Sequence, residues 1–153
     1  MKRVCQFCKQ ERTEKEFPTP SSSQCRQCKL ARARNRVART PQSYLEHLIK
    51  KSKARVKTRK VKDEEYTLTL DDLVNLWEQQ EGRCAISNIV MTHHKDGQGP
   101  IDHNVSIDRK NPHLGYTPEN VQLVCYRANI MRHDLSEGMF YWWVKTINDF
   151  SCN

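Results

Sequence analysis

The stretch that decides the fold runs Val105-Ser106-Ile107-Asp108-Arg109, then Gly115-Tyr116-Thr117-Pro118-Glu119-Asn120-Val121-Gln122-Leu123-Val124-Cys125, then Asn129 and His133. Asn104 to Asp108 alternates as a strand does, with Val105 and Ile107 on one face. Residues 109–120 are turn-rich, Val121–Cys125 reads as a second strand, and Tyr126–His133, free of breakers, reads as a helix. The pattern predicts strand, loop, strand, helix. Asp108 ends the first strand, and the second strand returns the chain beside it. Asn129 and His133 are four apart and share one helical face. A carboxylate, an amide oxygen and an imidazole then converge, a set that suits Mg²⁺ or Mn²⁺ with open water positions. An ion of that kind polarises a phosphate and stabilises a leaving oxygen. Arg109, beside Asp108, is placed to clamp a phosphate oxygen.

Outward from this core, Ser136 can cap a last helix whose Phe140, Trp143, Val144 and Ile147 share one face. Packing on the core is the job expected first of that aromatic helix. Upstream, residues 87–104 read as loop, with Gly97, Gly99 and Pro100. Thr69 with Asp72 resembles a capping box. Leu70, Leu73, Val74 and Trp77 follow as a helical face, and Gly82 is its stop. Tyr66-Thr67-Leu68 is a short strand or linker. Thr40-Pro41 marks another helix start, with Tyr44, Leu45, Leu48 and Ile49 on one face and Lys50, Lys51, Lys53, Arg55, Lys57, Arg59 and Lys60 towards its end.

At the other end of the chain, Cys5-Gln-Phe-Cys8 and Cys25-Arg-Gln-Cys28 are separated by sixteen residues. Each C-x-x-C turn points two thiolates at one ion, and two turns complete a tetrahedron. The segment between them is loop-like and cannot bury a core alone. Zinc binding can contribute about 10–16 kcal/mol to folding. With four protein ligands the role of this zinc is structural. Cys84, Cys125 and Cys152 lack such partners, since Ser87 and Ala128 stand at the +3 positions and the chain ends after the third. A second zinc would need ligands such as His93 or His103. Buried free thiols are the reading preferred for these three.

Composition frames the rest. The chain has 153 residues, 26 Lys+Arg against 18 Asp+Glu, and a net charge of +8. With 37% hydrophobic residues, one large core is not expected. No run of 18 apolar residues exists, which excludes a transmembrane helix. Met1 to Cys5 lack a signal peptide's apolar stretch, so an intracellular, reducing setting is expected, cytoplasm or nucleoid, an infected host's included. Residues 1–28 carry 6 basic and 3 acidic side chains; 29–62 carry 13 and one, net +12; 63–153 carry 7 and 14, net −7. The basic middle predicts phosphate contacts with nucleic acid, from Arg32, Arg34, Arg36 and Arg39 on a first helical segment and Lys50, Lys53 and Lys57 on the next.

The four-cysteine ribbon, S-I-D-R, G-Y-T-P-E-N-V-Q-L-V-C and the Asn four residues later together resemble the HNH (ββα-metal) endonucleases. Within them the chain is similar to small zinc-ribbon members, the rare-cutting restriction enzymes and phage HNH or recombination endonucleases. The resemblance covers residues 5–28 and roughly 82–135. It implies an α+β fold: a zinc ribbon over 1–30, a basic helical DNA-binding segment over 31–65, and a ββα-metal nuclease core with flanking helices over 66–153. It further implies that Asp108 and Asn129 bind the catalytic Mg²⁺ or Mn²⁺, with His133 where some branches place a last ligand. Arg109 stands where many members carry the histidine base. Water activation therefore falls to another group, His93 first, then His94, with Tyr116, His113 and His103 as further options. The implied activity is metal-dependent cleavage of double-stranded DNA, leaving a 3′-hydroxyl and a 5′-phosphate. One site cuts one strand, so cutting both needs a homodimer, to which the aromatic C-terminal helix can contribute. The rival expectation is a non-catalytic zinc-ribbon DNA-binding protein with a decayed nuclease core.

Overall fold

Cys5 and Cys8 sit in a tight turn between two short antiparallel strands, β1 (Lys2–Val4) and β2 (Glu11–Thr13), paired with Lys2 opposite Thr13. The computed structural model describes residues 1–58, 65–94 and 101–152. Where the sequence reads as loop, the turn is closed by Lys9 N–H donating to the Cys5 carbonyl at 2.9 Å, with Lys9 at φ 57°. A 3₁₀ turn (Glu14–Glu16) follows. Cys25 then caps α1 (Arg26–Ala38), which places Cys28 in its first turn. Cys5, Phe17 and Cys25 form a small core of their own, and the Arg3 guanidinium lies 4.4 Å above the Phe17 ring.

α2 (Pro41–Thr58) starts where Thr40-Pro41 predicts. Ser43 N–H donates to Thr40 Oγ1 at 3.1 Å, and Thr40 N–H donates back to Ser43 Oγ at 3.2 Å. α3 (Leu70–Gln79) opens on the expected box, with Thr69 N–H donating to Asp72 Oδ2 at 2.8 Å. Gly82, at φ +66°, turns the chain after it. A 3₁₀ turn (Ile101–His103) leads into β3 (Val105–Arg109), which pairs antiparallel with β4 (Val121–Cys125), Asp108 opposite Gln122. α4 (Tyr126–Arg132) follows β4 directly and packs back over both strands. Strand, strand and helix thus form the ββα unit read from the sequence.

The main core joins Tyr44, Leu45 and Ile49 of α2, Leu73 of α3, Val105 of β3 and all of β4 except Gln122. Burial of this kind stabilises by about 25 cal/mol per Å² of apolar surface. Gly115 is needed where residues 65–68 cross the loop. A Cβ there would meet the Glu65 carbonyl oxygen at 2.0 Å. That approach lets Tyr116 N–H donate to Glu65 O at 2.8 Å.

Two expectations are corrected. α5 (Glu137–Ser151) is capped by Ser136 as expected, but only Phe140 is buried; Trp143, Val144 and Ile147 are exposed, so the helix does not pack on the core. Cys84 and Cys125 are buried free thiols, whereas Cys152 at the end of α5 is exposed. Arg59, Lys60, Gly97, Gly99 and Pro100 lie outside the described residues. No helix among the described residues is long and apolar enough to cross a membrane.

Candidate functional site

The four N-terminal cysteines meet. Their sulfurs all lie within 4.8 Å of one another, and Cys5 Sγ is 3.8 Å from Cys28 Sγ. A tetrahedron with Zn–S bonds of 2.3 Å has edges of about 3.8 Å. The thiols are unequal. The Cys8 backbone N–H holds the Cys5 thiol down to about 6. Cys28 is pushed up to about 12 by its hydrogen bond with Cys25 and by burial. Four thiolates this close repel one another, and a divalent cation would supply the missing positive charge. The tetrad can bind a structural metal such as zinc. Among the described residues it is the one cluster of three or more His, Cys, Asp or Glu side chains with such spacing.

The ββα unit builds a cleft of about 420 Å³ lined by Asp108, Arg109, Asn129, His133, His113 and Asp134, among others. Asp108 is 4% exposed. Its Oδ2 accepts from Arg132 Nη1 at 2.5 Å and from Gln122 Nε2 at 2.9 Å. Oδ1 has no hydrogen-bond partner among the described residues. Asn129 Nδ2 donates to Ser106 Oγ at 2.7 Å and to the Ile107 carbonyl at 3.1 Å. With both amide hydrogens engaged, the orientation of its oxygen is fixed, and that oxygen too has no partner among the described residues. His133 stands at the exposed rim at φ 50°, its Nδ1 2.9 Å from Asp134 Oδ1. The histidine holds the Asp134 carboxyl below the usual range.

Arg109 is half-buried rather than presented at the rim. Its guanidinium lies 5.0 Å above the Tyr116 ring and donates to the Leu114 carbonyl at 3.1 Å. The loop it braces is also held by Asn120, which donates to the carbonyls of Asn111 and Gly115 and accepts from Asn111 N–H. The two adjacent histidines separate. His93 Nδ1 is 2.8 Å from the Ala38 carbonyl at the end of α1, and His93 lines neither cavity described here. His94 is exposed and lines a second cavity. Tyr116 lies between the two cavities, His113 lines the cleft, and His103 is exposed and lines neither.

No protein-family model matches the chain, and no curated protein does. Among solved structures it is similar to the rare-cutting HNH restriction endonuclease PacI, described for its perturbation of DNA. Identity is 16% over 95% of this chain and 92% of that chain, with a TM-score of 0.47. Similarity at that level gives no residue here a role.

The second cavity, about 480 Å³, runs along α2 and adjoins the cleft, sharing Arg55, Ser106, Ile107, Tyr116 and Tyr126 with it. Its cationic wall is Arg34, Lys51 and Arg55, with His47 beside them. Of the residues expected to bind DNA, only Arg34 faces it. Arg32 stacks 4.5 Å above Phe7, Lys50 pairs with Glu46 at 2.6 Å, and Lys53 lies 5.4 Å above Tyr66. Arg36, Arg39 and Lys57 are exposed elsewhere on α1, its end and α2. Tyr44, His47, Lys51 and Arg55 recur at helical spacing, a signal that could have picked this wall out of the charge run. Asn104 supports it from below, donating to Tyr44 Oη at 3.3 Å and to the His94 carbonyl at 2.5 Å. Burial pushes the Tyr44 phenol up, against that hydrogen bond.

Arg132 and Asn104 are buried polar residues that sequence reasoning missed, beside His47, Lys51 and Arg55 of the wall. Arg132 has 0% exposure and also donates to the carbonyls of Arg109 and Lys110. Its only sequence signal is a position three residues after Asn129.

Proposed function

We propose that the chain is a metal-dependent endonuclease that hydrolyses phosphodiester bonds in double-stranded DNA. The observation that carries this reading is a pair of oxygens without a hydrogen-bond partner among the described residues, Asp108 Oδ1 and Asn129 Oδ1, from residues lining one cleft beside a basic channel. An oxygen-only donor pair fits a hard cation such as Mg²⁺ or Mn²⁺. Asp108 and Asn129 would hold it, with His133 at the rim. When bound, such an ion supplies charge stabilisation at the scissile phosphate and leaving oxygen. Arg109, held over the Tyr116 ring, adds positive charge beside the phosphate. Arg34, Lys51 and Arg55 track the backbone into the cleft. Of the two histidines first considered as base, we assign water activation to His94, because it faces the channel while His93 is committed to α1. The cysteine tetrad, loaded with zinc, holds α1 beside the channel.

Plasmid incubated with protein in Mg²⁺ should be nicked or cut, and in EDTA left intact. Asn129→Ala should abolish cleavage with DNA binding retained, and His94→Ala should lower it by about 10²-fold or more. One observation favours the non-catalytic alternative: Asp108 already has a structural role as partner of Arg132. Retained DNA binding with no metal-dependent cleavage would decide for that alternative.

A further inference from the structure

The cleft offers a divalent cation little negative charge. Two carboxylates line it, Asp108 and Asp134. Asp134 stands at the rim, its side chain 75% exposed and set against His133 Nδ1. Asp108 is buried, and its Oδ2 is engaged by Arg132 and Gln122. Asn129 adds a neutral oxygen. Outside the cysteine tetrad, no three ligand atoms of His, Cys, Asp or Glu among the described residues lie close enough to share an ion. Arg132 is also fixed in place. Its Nη1 and Nη2 are held by the Arg109 and Lys110 carbonyls, and its buried Nε donates to nothing among the described residues. Asp108 is the carboxylate that answers its charge. A cation locked behind a carboxylate cancels most of that carboxylate's pull on an incoming ion. The affinity of oxygen sites for hard cations follows the charge of the ligands, and Mg²⁺ in particular leans on substrate phosphates.

We propose that Arg132 holds the free cleft's affinity for divalent cations low, so that the site is completed only when a DNA phosphate enters beside Asp108. Cation and DNA then bind as a coupled pair, and each strengthens the other by the same factor. The inference rests on the nuclease reading and adds to it what arms the cleft. Asp108 supplies Oδ1, Asn129 supplies its amide oxygen, and the phosphate brings the net negative charge that Arg132 has cancelled. A free chain stays unarmed at cation concentrations that support cleavage on DNA. With no exposed surface, Arg132 acts through Asp108 alone.

The test follows free Mn²⁺ by electron paramagnetic resonance, with the full-length, zinc-loaded chain, alone and on a short duplex. Asn129→Ala on the same duplex subtracts the Mn²⁺ held by DNA itself. The free chain should bind Mn²⁺ more weakly than about 100 μM. On the duplex, a further Mn²⁺ per chain should bind over Asn129→Ala, more tightly than to the free chain by about tenfold or more. Arg132→Met, with its fold checked by circular dichroism, should tighten Mn²⁺ binding to the free chain by about tenfold. Gln122→Glu leaves Arg132 in place and sets a second carboxylate opposite Asp108. It should tighten binding likewise, which covers the case in which Arg132→Met does not fold. Binding to the free wild-type chain tighter than about 100 μM overturns the inference, and if plasmid is still cut the nuclease reading survives. No excess over Asn129→Ala on the duplex also overturns it, and with uncut plasmid both readings fall. Unchanged affinity in folded Arg132→Met, or in Gln122→Glu, overturns the role given to Arg132.

Discussion

Arg132 has no exposed surface, and its guanidinium meets Asp108 and the carbonyls of Arg109 and Lys110. A buried cation without its counter-charge is costly, so Asp108→Ala should destabilise the fold by about 3–5 kcal/mol, measured as a lower midpoint in urea. Loss of activity in that variant would therefore mix folding with chemistry. Asn129→Ala removes two hydrogen bonds at the edge of the core and should cost only about 1–2 kcal/mol, which makes it the cleaner probe of the cleft. The positions of Asp108 and Asn129 were legible, because a strand end and a helix face follow from spacing. The ion pair was not. It exists only once β3 and α4 pack, and nothing in the sequence ties residue 132 to residue 108 rather than to solvent.

At the scale of elements, the cysteine tetrad and the main core are separate clusters. Removing zinc with a strong chelator should therefore cost helix at α1, whose cap is Cys25, while α3 and the ββα unit persist. Far-UV circular dichroism alongside zinc release checks this, and a loss of all helix would contradict it. Thiolates bind metal and protons competitively. Cys5, held down to about 6, is a thiolate at neutral pH and protonates below that value. Zinc retention should accordingly fall as the pH is lowered, since each thiol that takes up a proton is lost as a ligand. Thiol labelling of the zinc-loaded protein should modify exposed Cys152 quickly and buried Cys84 and Cys125 slowly. Element type and limits were largely readable from caps and breakers. Thr40-Pro41, Thr69 with Asp72, and Ser136 each open a helix where the sequence placed one. The error concerned α5, since an apolar face shows that something covers it without showing what.

Across the whole molecule, the described part of the +12 segment, residues 29–58, lies on α1, α2 and the turn between them, and α2 forms most of the wall that adjoins the cleft. Six phosphate contacts would make log K fall against log salt with a slope of about −5. Lys51→Ala with Arg55→Ala should make that slope shallower by about 2, whereas Lys50→Ala, already paired with Glu46, should leave it nearly unchanged. A salt titration of binding to a short duplex tells the two apart. The sequence by itself determined the α+β class, the cysteine tetrad, the element order and the segregation of charge, because spacing, caps and breakers are local properties. Helical spacing puts Lys51 and Arg55 on one face of α2, but only the tertiary structure decided that this face lines the channel, which histidine faces it, what holds Asp108, and that α5 stands clear of the core. Each of those depends on how two distant segments pack, which no local pattern encodes.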